Sequence, residues 1–193
     1  MSTLKHYFIA VPIPKLIKKV LAEWSDQLKE LPFDYKEWVY EADFHVTLKF
    51  LGGVSEEQVK ALSDDLHQLT RSFSTFKMKG KGAGTFGRTD APRVLWASTE
   101  SDPELFDWQK QIDKLCTSHG FHAENRPYRP HITIAKKWRG GALQLDRLPA
   151  PPLSFLKEWI VDHIVLYTVR PSELPKYQRV ETFPFGSGVK GKS

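Results

Sequence analysis

Two strings decide how this chain is read: Phe44-His45-Val46-Thr47-Leu48-Lys49-Phe50-Leu51-Gly52 and Arg129-Pro130-His131-Ile132-Thr133-Ile134-Ala135. In both, apolar and polar residues alternate, the period of a strand with one buried face. His45 and Thr47 then share a face, while Val46, Leu48 and Phe50 take the other; His131 and Thr133 stand likewise against Ile132 and Ile134. Extending the alternation puts Lys49 on the first polar face and Arg129 on the second, with Pro130 at an edge or strand entry, where its missing N–H is tolerated.

Working outward, each string closes a larger unit. Residues 7–11 read as a strand, 14–30 as an amphipathic helix, and 45–51 as a second strand stopped by Gly52-Gly53. The same order returns 86 residues later, with a strand at 93–97, a helix at 102–119 stopped by Gly120, and a strand at 131–135. From Tyr7 to His45 is 38 residues, and so is Arg93 to His131, which makes the two histidines equivalent positions of an internal repeat. Beyond them the halves diverge. Residues 55–70 predict a full helix opened by the capping signature Ser55-Glu56-Glu57-Gln58, whereas 140–148 leave room for a short one. Strand-like sequence at 73–79, 159–169 and 177–185 closes the halves. The expectation is an α+β fold, duplicated and bilobal, with two antiparallel-rich sheets, helices outside and a central groove. It forms one domain over residues 1–186, with halves at about 7–92 and 93–185, and a flexible tail at 187–193.

Composition narrows the partners. In 193 residues the net charge is +5, and 40% hydrophobic residues suffice for a core of ordinary size. A single cysteine, Cys116, excludes an internal disulfide and any cysteine-cluster metal site, and fits a reducing cytoplasm. The apolar stretch at 7–13 is too short and too proline-interrupted for a signal core or membrane span, so a soluble, unprocessed protein is expected. The charge is uneven: residues 77–93 and 126–139 together carry +9, leaving −4 on the rest. If those segments meet in space, they form an anion site.

One His-x-Thr means little; two at equivalent positions of a repeat, one inside a basic segment, mean more. Pseudo-two-fold symmetry would set the polar faces opposite each other. Two imidazoles, two hydroxyls and positive charge without neighbouring carboxylates suit in-line displacement at a phosphodiester. One imidazole takes a proton from the attacking oxygen and the other gives one to the leaving oxygen. The hydroxyls and a cation stabilise the non-bridging oxygens, with no metal or other cofactor required.

These strings resemble the two signature motifs of the 2H phosphoesterase superfamily, and within it the chain is most similar to the RNA 2′,3′-cyclic phosphodiesterases, or 2′-5′ RNA ligases. The similarity runs over residues 7–185 and includes Ala91-Pro92-Arg93-Val94-Leu95-Trp96. The resemblance implies a bilobal fold and metal-free hydrolysis of a terminal 2′,3′-cyclic phosphate to a 2′-phosphate. It also implies a weak reverse ligation. It makes His45 the proton donor and His131 the proton acceptor, with Thr47 and Thr133 on the phosphate oxygens. Members often carry an arginine after the second motif and another before the first, where this chain has Lys136-Lys137 and Lys36, so Arg129 and Lys136 are the substrate-binding candidates. Tyr128 and Phe86 are candidate platforms for a nucleobase. The partner implied is RNA or a nucleotide with a 2′,3′-cyclic phosphate end, taken by a monomer. The rivals are a 2H enzyme for another cyclic or 2′-5′ phosphodiester, and a noncatalytic RNA- or nucleotide-binding module.

Two further signals point elsewhere. Gly82-Ala83-Gly84-Thr85-Phe86-Gly87 matches a dinucleotide fingerprint, but no helix begins inside it, and a basic loop near the RNA is the preferred reading. Cys116, His119 and His122 are spaced by three along a helix that Gly120 breaks, so they do not converge on a metal.

Overall fold

The 86-residue offset survives folding. In the computed structural model, which describes residues 4–88, 90–141 and 148–186, the first unit is strand β1 (Lys5–Pro12), helix α1 (Lys15–Lys29), short strand β2 (Tyr35–Trp38) and strand β3 (His45–Val54). Helix α2 (Glu56–Thr70) follows, opened by a capping box in which Ser55 and Gln58 satisfy each other's backbone N–H groups. Then come β4 (Phe76–Gly87), β5 (Pro92–Ser101), α3 (Glu104–Ser118) and β6 (His131–Trp138). The chain closes with β7 (Glu158–Val161), β8 (His163–Val169) and β9 (Tyr177–Pro184). The short helix expected at 140–148 and the tail at 187–193 fall largely or wholly outside the described residues.

All pairings are antiparallel, in the order β7-β4-β5-β6-β3-β1-β8-β9, with β2 also on β6. Between β3 and β6 a single residue pair, Val46 with Ile132, is in register. The sheet therefore consists of two wings joined at one point, the two sheets of the sequence reading. Read outward from that joint the wings match: β3-β1-β8-β9 on one side and β6-β5-β4-β7 on the other. Each wing mixes the halves of the chain. β4, from the first half, pairs with β5, while β8, from the second, pairs with β1. The stretch expected as one strand at 159–169 is broken at Asp162, so β7 joins β4 in one wing and β8 joins β1 in the other.

Three helices cover the buried face. Ile17, Leu21, Trp24 and Leu28 of α1, Leu62 and Leu66 of α2, and Leu105 and Ile112 of α3 join the inward residues of the strands in one core. His67 bonds Glu181 at 2.7 Å, tying α2 to β9, and His119 bonds Asp65 at 2.8 Å, tying the end of α3 to α2. Cys116 is buried in that core, which pushes its thiol up to about 12, and the His122 carbonyl accepts from Lys49; this trio is part of the packing. Among the described residues no helix is long and apolar enough to cross a membrane.

Two expectations about the strands are corrected, one of facing and one of extent. In β3, Ala10 pairs with Thr47 and Ile9 with Lys49, so Leu48 is an extra, bulged residue. The bulge flips the alternation. Leu48 and Lys49 are both buried, and Lys49 is ion-paired to Asp113 of α3 instead of standing beside Thr47, while Phe50 emerges 58% exposed on the groove side. β6 repeats the device: Trp96 pairs with Thr133 and Leu95 with Ala135, leaving Ile134 as the extra residue. Lys136 is thereby turned to the groove. The second correction concerns the glycine-rich stretch, which is the outer end of β4 and not a loop. Gly84 lies across from Trp96, whose indole occupies the space a Cβ would need, at 2.6 Å.

Candidate active site

Each motif histidine is fixed by its own strand. The Nδ1 of His45 bonds the carbonyl of Asp43 and that of His131 the carbonyl of Arg129, both at 2.7 Å and both two residues upstream. A carbonyl only accepts, so Nδ1 carries the hydrogen in both rings and Nε2 is left as the working nitrogen. The Nε2 of His45 lies 3.0 Å from Thr47 Oγ1. Because the strands run antiparallel through the Val46–Ile132 pair, His45 flanks it on the side of Thr133, and Thr47 on the side of His131. The four motif residues are thus gathered on the strands that meet at the joint between the wings.

A cavity of about 260 Å³ opens there, lined by His45, Thr47, Thr133 and Lys136. Its apolar walls include Phe8, Phe50 and Tyr177, with His6 at the side; His6 and Phe50 meet edge-on at 6.1 Å. Phe8 lies 4.7 Å from the His45 ring and Tyr177 5.1 Å, the latter edge-on. This aromatic enclosure desolvates His45 and pushes its pKa down to about 4; the Asp43 carbonyl opposes the shift, and the charges of Lys136, Lys18 and His131 add to it. His131 is enclosed by Phe86, edge-on at 4.9 Å, and by Trp96 at 6.0 Å. Desolvation lowers its pKa too, against the Arg129 carbonyl, which raises it.

The other expected residues divide. Lys136 lines the cavity, and Phe86 touches the His131 ring. Arg129 is exposed just before β6 and holds His131 through its carbonyl. Tyr128 is packed edge-on to Phe106 and donates its hydroxyl to the Thr47 carbonyl at 3.1 Å, so it braces the first motif and is no stacking platform. Lys36 is exposed on β2 and does not line the cavity. The basic segments contribute less than their charge implied. Lys77, Lys79, Arg88, Arg126, Lys137 and Arg139 are ion-paired to nearby carboxylates, while Lys81, Arg93, Arg129 and Lys136 have no such partner among the described residues.

Asp43 escaped the sequence reading. It is 4% exposed, its carboxylate accepts from the backbone N–H groups of Lys176 and Tyr177 at 2.9 and 3.0 Å, and its carbonyl holds His45. Its position two residues before the histidine was the available signal, since it matches that of Arg129 before His131.

Two histidines anchored alike on paired strands, with two threonine hydroxyls and Lys136 at one cavity, agree with the comparisons. The family model described as LigT like Phosphoesterase matches residues 11–96 and 98–177. The chain belongs to this family. Among LigT-like relatives, the RNA 2′,3′-cyclic phosphodiesterase of Geobacillus stearothermophilus is 35% identical, and the match covers 97% of this chain and 60% of that protein. The one from Bacillus subtilis is 32% identical over 92% of this chain and 95% of its own length. In fold, the chain is similar to E. coli LigT complexed with 3′-AMP, with a TM-score of 0.77 at 24% identity, covering 94% of this chain and 98% of that one.

Proposed function

We propose that this LigT-like chain hydrolyses the terminal 2′,3′-cyclic phosphate of RNA to a 2′-phosphate, by acid–base catalysis at His45 and His131. The relatives bearing that activity in their names support the reaction. The observation that carries the mechanism is the matched anchoring of both rings through Nδ1, which leaves both Nε2 atoms free of the backbone, that of His45 at the cavity. His131 takes a proton from water as it attacks phosphorus, and His45 gives one to the departing 3′ oxygen. Thr47, Thr133 and Lys136 stabilise the charge on the non-bridging oxygens. Phe50 and His6 offer the terminal base a wall, and Arg129 meets the RNA backbone. One chain supplies both motifs, so a monomer is sufficient, and the single buried Cys116 suits the cytoplasm.

Neutral histidines with lowered pKa values need help to act as an acid. The substrate supplies it: an anion on Lys136 offsets the charge that depresses His45, letting that ring take up a proton. Turnover of a 2′,3′-cyclic mononucleotide and a cyclic-ended RNA in EDTA tests the reaction. Activity is expected to disappear in His45→Ala and His131→Ala, and full activity in either variant overturns the mechanism. Binding without turnover would make the protein a module; a strong preference for another cyclic or 2′-5′ linked nucleotide would reassign the substrate.

The reverse polarity has one observation in its favour: desolvation and neighbouring charges push His45 down to about 4, which disfavours the proton that an acid must carry. A substrate with sulfur at the 3′ bridging position decides it, because a thiolate leaves without protonation. Rescue of His45→Ala alone supports His45 as the acid, and rescue of His131→Ala alone reverses the roles.

A further inference from the structure

A bulge leaves one residue outside the strand ladder, so its backbone carbonyl must find a partner elsewhere. In both motifs that partner comes from the part of the chain that leads into the other motif's histidine. The extra residue of the second motif is Ile134, and its carbonyl accepts from the backbone N–H of Val39 at 2.9 Å, in the approach to His45. The extra residue of the first motif is Leu48, the equivalent position of the repeat. Here the approach to His131 is helix α3 followed by residues 121–130, which form neither helix nor strand. Three consecutive residues of β3 hold it. The Thr47 carbonyl accepts from the Tyr128 hydroxyl at 3.1 Å, the Leu48 carbonyl accepts from the Gln109 amide of α3 at 3.3 Å, and Lys49 donates to the His122 carbonyl and to Asp113. Asp113 lies one helical turn after Gln109 on the same face of α3, and its carboxylate also accepts from the backbone N–H of Glu124 at 3.2 Å. Lys49 is 5% exposed, a depth at which an ammonium persists only with partners such as these.

We propose that Lys49, in the same strand as His45, is a positioning residue for His131. Its ammonium fixes the start of residues 121–130 and the Tyr128 hydroxyl fixes their end, so that the Arg129 carbonyl stands where the Nδ1–H of His131 meets it. Without that acceptor in place the ring is free to turn and to carry its hydrogen on Nε2, which then cannot take a proton from water. The bulge at Leu48 is what turns Lys49 inward to this task, away from the groove face on which simple alternation would set it. The Val39–Ile134 bond is the reciprocal contact, from the second motif to the approach of His45. For its kinetic arm the proposal rests on the phosphodiesterase reading above, with His131 as the base.

The test reads the imidazole nitrogens directly, by NMR of the isotope-labelled full-length protein at neutral pH, where both rings are expected to carry the hydrogen on Nδ1. Lys49→Met keeps the stem and removes the ammonium; Tyr128→Phe keeps the ring on Phe106 and removes one hydroxyl. In both variants His131 is expected to become a mixture of the two tautomers. His45 is expected to stay as it is, because Asp43, which anchors it, is held independently by the backbone of residues 176 and 177. For a 2′,3′-cyclic mononucleotide kcat is expected to fall about 10- to 100-fold, the upper figure being the cost of about 1 Å of misplacement, with KM within about twofold, since neither side chain lines the cavity. His131 unchanged in the folded variants overturns the proposal, as does His45 altered as much as His131, or a rise in KM without a fall in kcat. If Lys49→Met does not fold, Tyr128→Phe alone decides. The tautomer is read without substrate, so an inactive wild type would sink the phosphodiesterase reading and leave the positioning role to be decided by the NMR arm.

Discussion

His45 and His131 donate from Nδ1 to carbonyls two residues upstream at the same 2.7 Å, yet those carbonyls are held differently. Asp43 is buried, and its carboxylate locks it to the backbone of residues 176 and 177. Arg129 is exposed, in a segment tied down by the Tyr128 hydroxyl and, further upstream, by Asp113, whose carboxylate accepts from the backbone N–H of Glu124. His45 also bonds its own threonine, for which His131 has no counterpart among the described residues. A duplicated motif has therefore been placed in two environments, one rigid and dry, the other more open. Catalysis by an unlike acid and base requires such a difference, and the common anchor preserves the geometry while the surroundings set the proton affinity.

Removing either ring should have the largest effect on activity. His45→Ala and His131→Ala are each expected to reduce kcat by about 10²- to 10⁴-fold in steady-state assays, and the double variant by far less than the product of the two, because the pair acts as a unit. Equal and fully additive losses would dissolve the distinction between acid and base. Lys136→Gln comes next. Lys136 lines the cavity, and its charge adds to the burial that depresses His45, so kcat/KM is expected to fall about 10- to 100-fold while its acid limb moves to higher pH. Loss of activity with an unmoved limb would leave Lys136 only a phosphate contact.

Both histidines lie below the ordinary imidazole value, so the bell-shaped pH profile of kcat/KM should peak on the acid side of pH 6.5; a flat profile across pH 5–9 would argue against two titrating imidazoles. The same shift bears on stability. Between about pH 6.5 and about pH 4, the unfolded chain binds a proton at His45 that the folded chain does not. Stability is therefore full above that window and lost as pH falls through it, by at most about 3 kcal/mol. His45→Gln should flatten that part of a denaturation series, and His131→Gln should flatten it less. The smallest change is Asp43→Ala, expected to destabilise by about 1–3 kcal/mol in urea melts because two backbone N–H groups lose their acceptor. Arg129→Ala should not. Equal effects would mean that the two anchors are alike after all.

The repeat, the helices and the four motif side chains were legible because each follows a local period or a fixed spacing. Lys49 and Phe50 were misassigned because a bulge is a one-residue change in pairing that alternation does not see; its trace is that Phe50 and Lys136, both five residues past their histidines, now line the same cavity. The extent of β4 was hidden by its glycines, of which Gly84 makes room for the Trp96 ring across the sheet, 12 residues away in sequence, and Gly80 for Phe155. Asp43 was hidden because its partners lie more than 130 residues further along the chain. The charge excess overstated the anion site because ion pairing is a tertiary property.

The crossing of closing strands between the wings has a consequence for ancestry and for engineering. Cut at the β4–β5 turn, each fragment would carry away the strand that completes the other's sheet: β4 would lose β5, and β1 would lose β8. A half-length chain of this pattern could complete its hydrogen bonding only by exchanging strands with a second copy, which is the geometry of a swapped homodimer. In such a pair the two imidazoles would be identical by symmetry, with one on each subunit. Fusion into one chain is what frees the two copies to become unlike, so that one can be dried and braced while the other stays open.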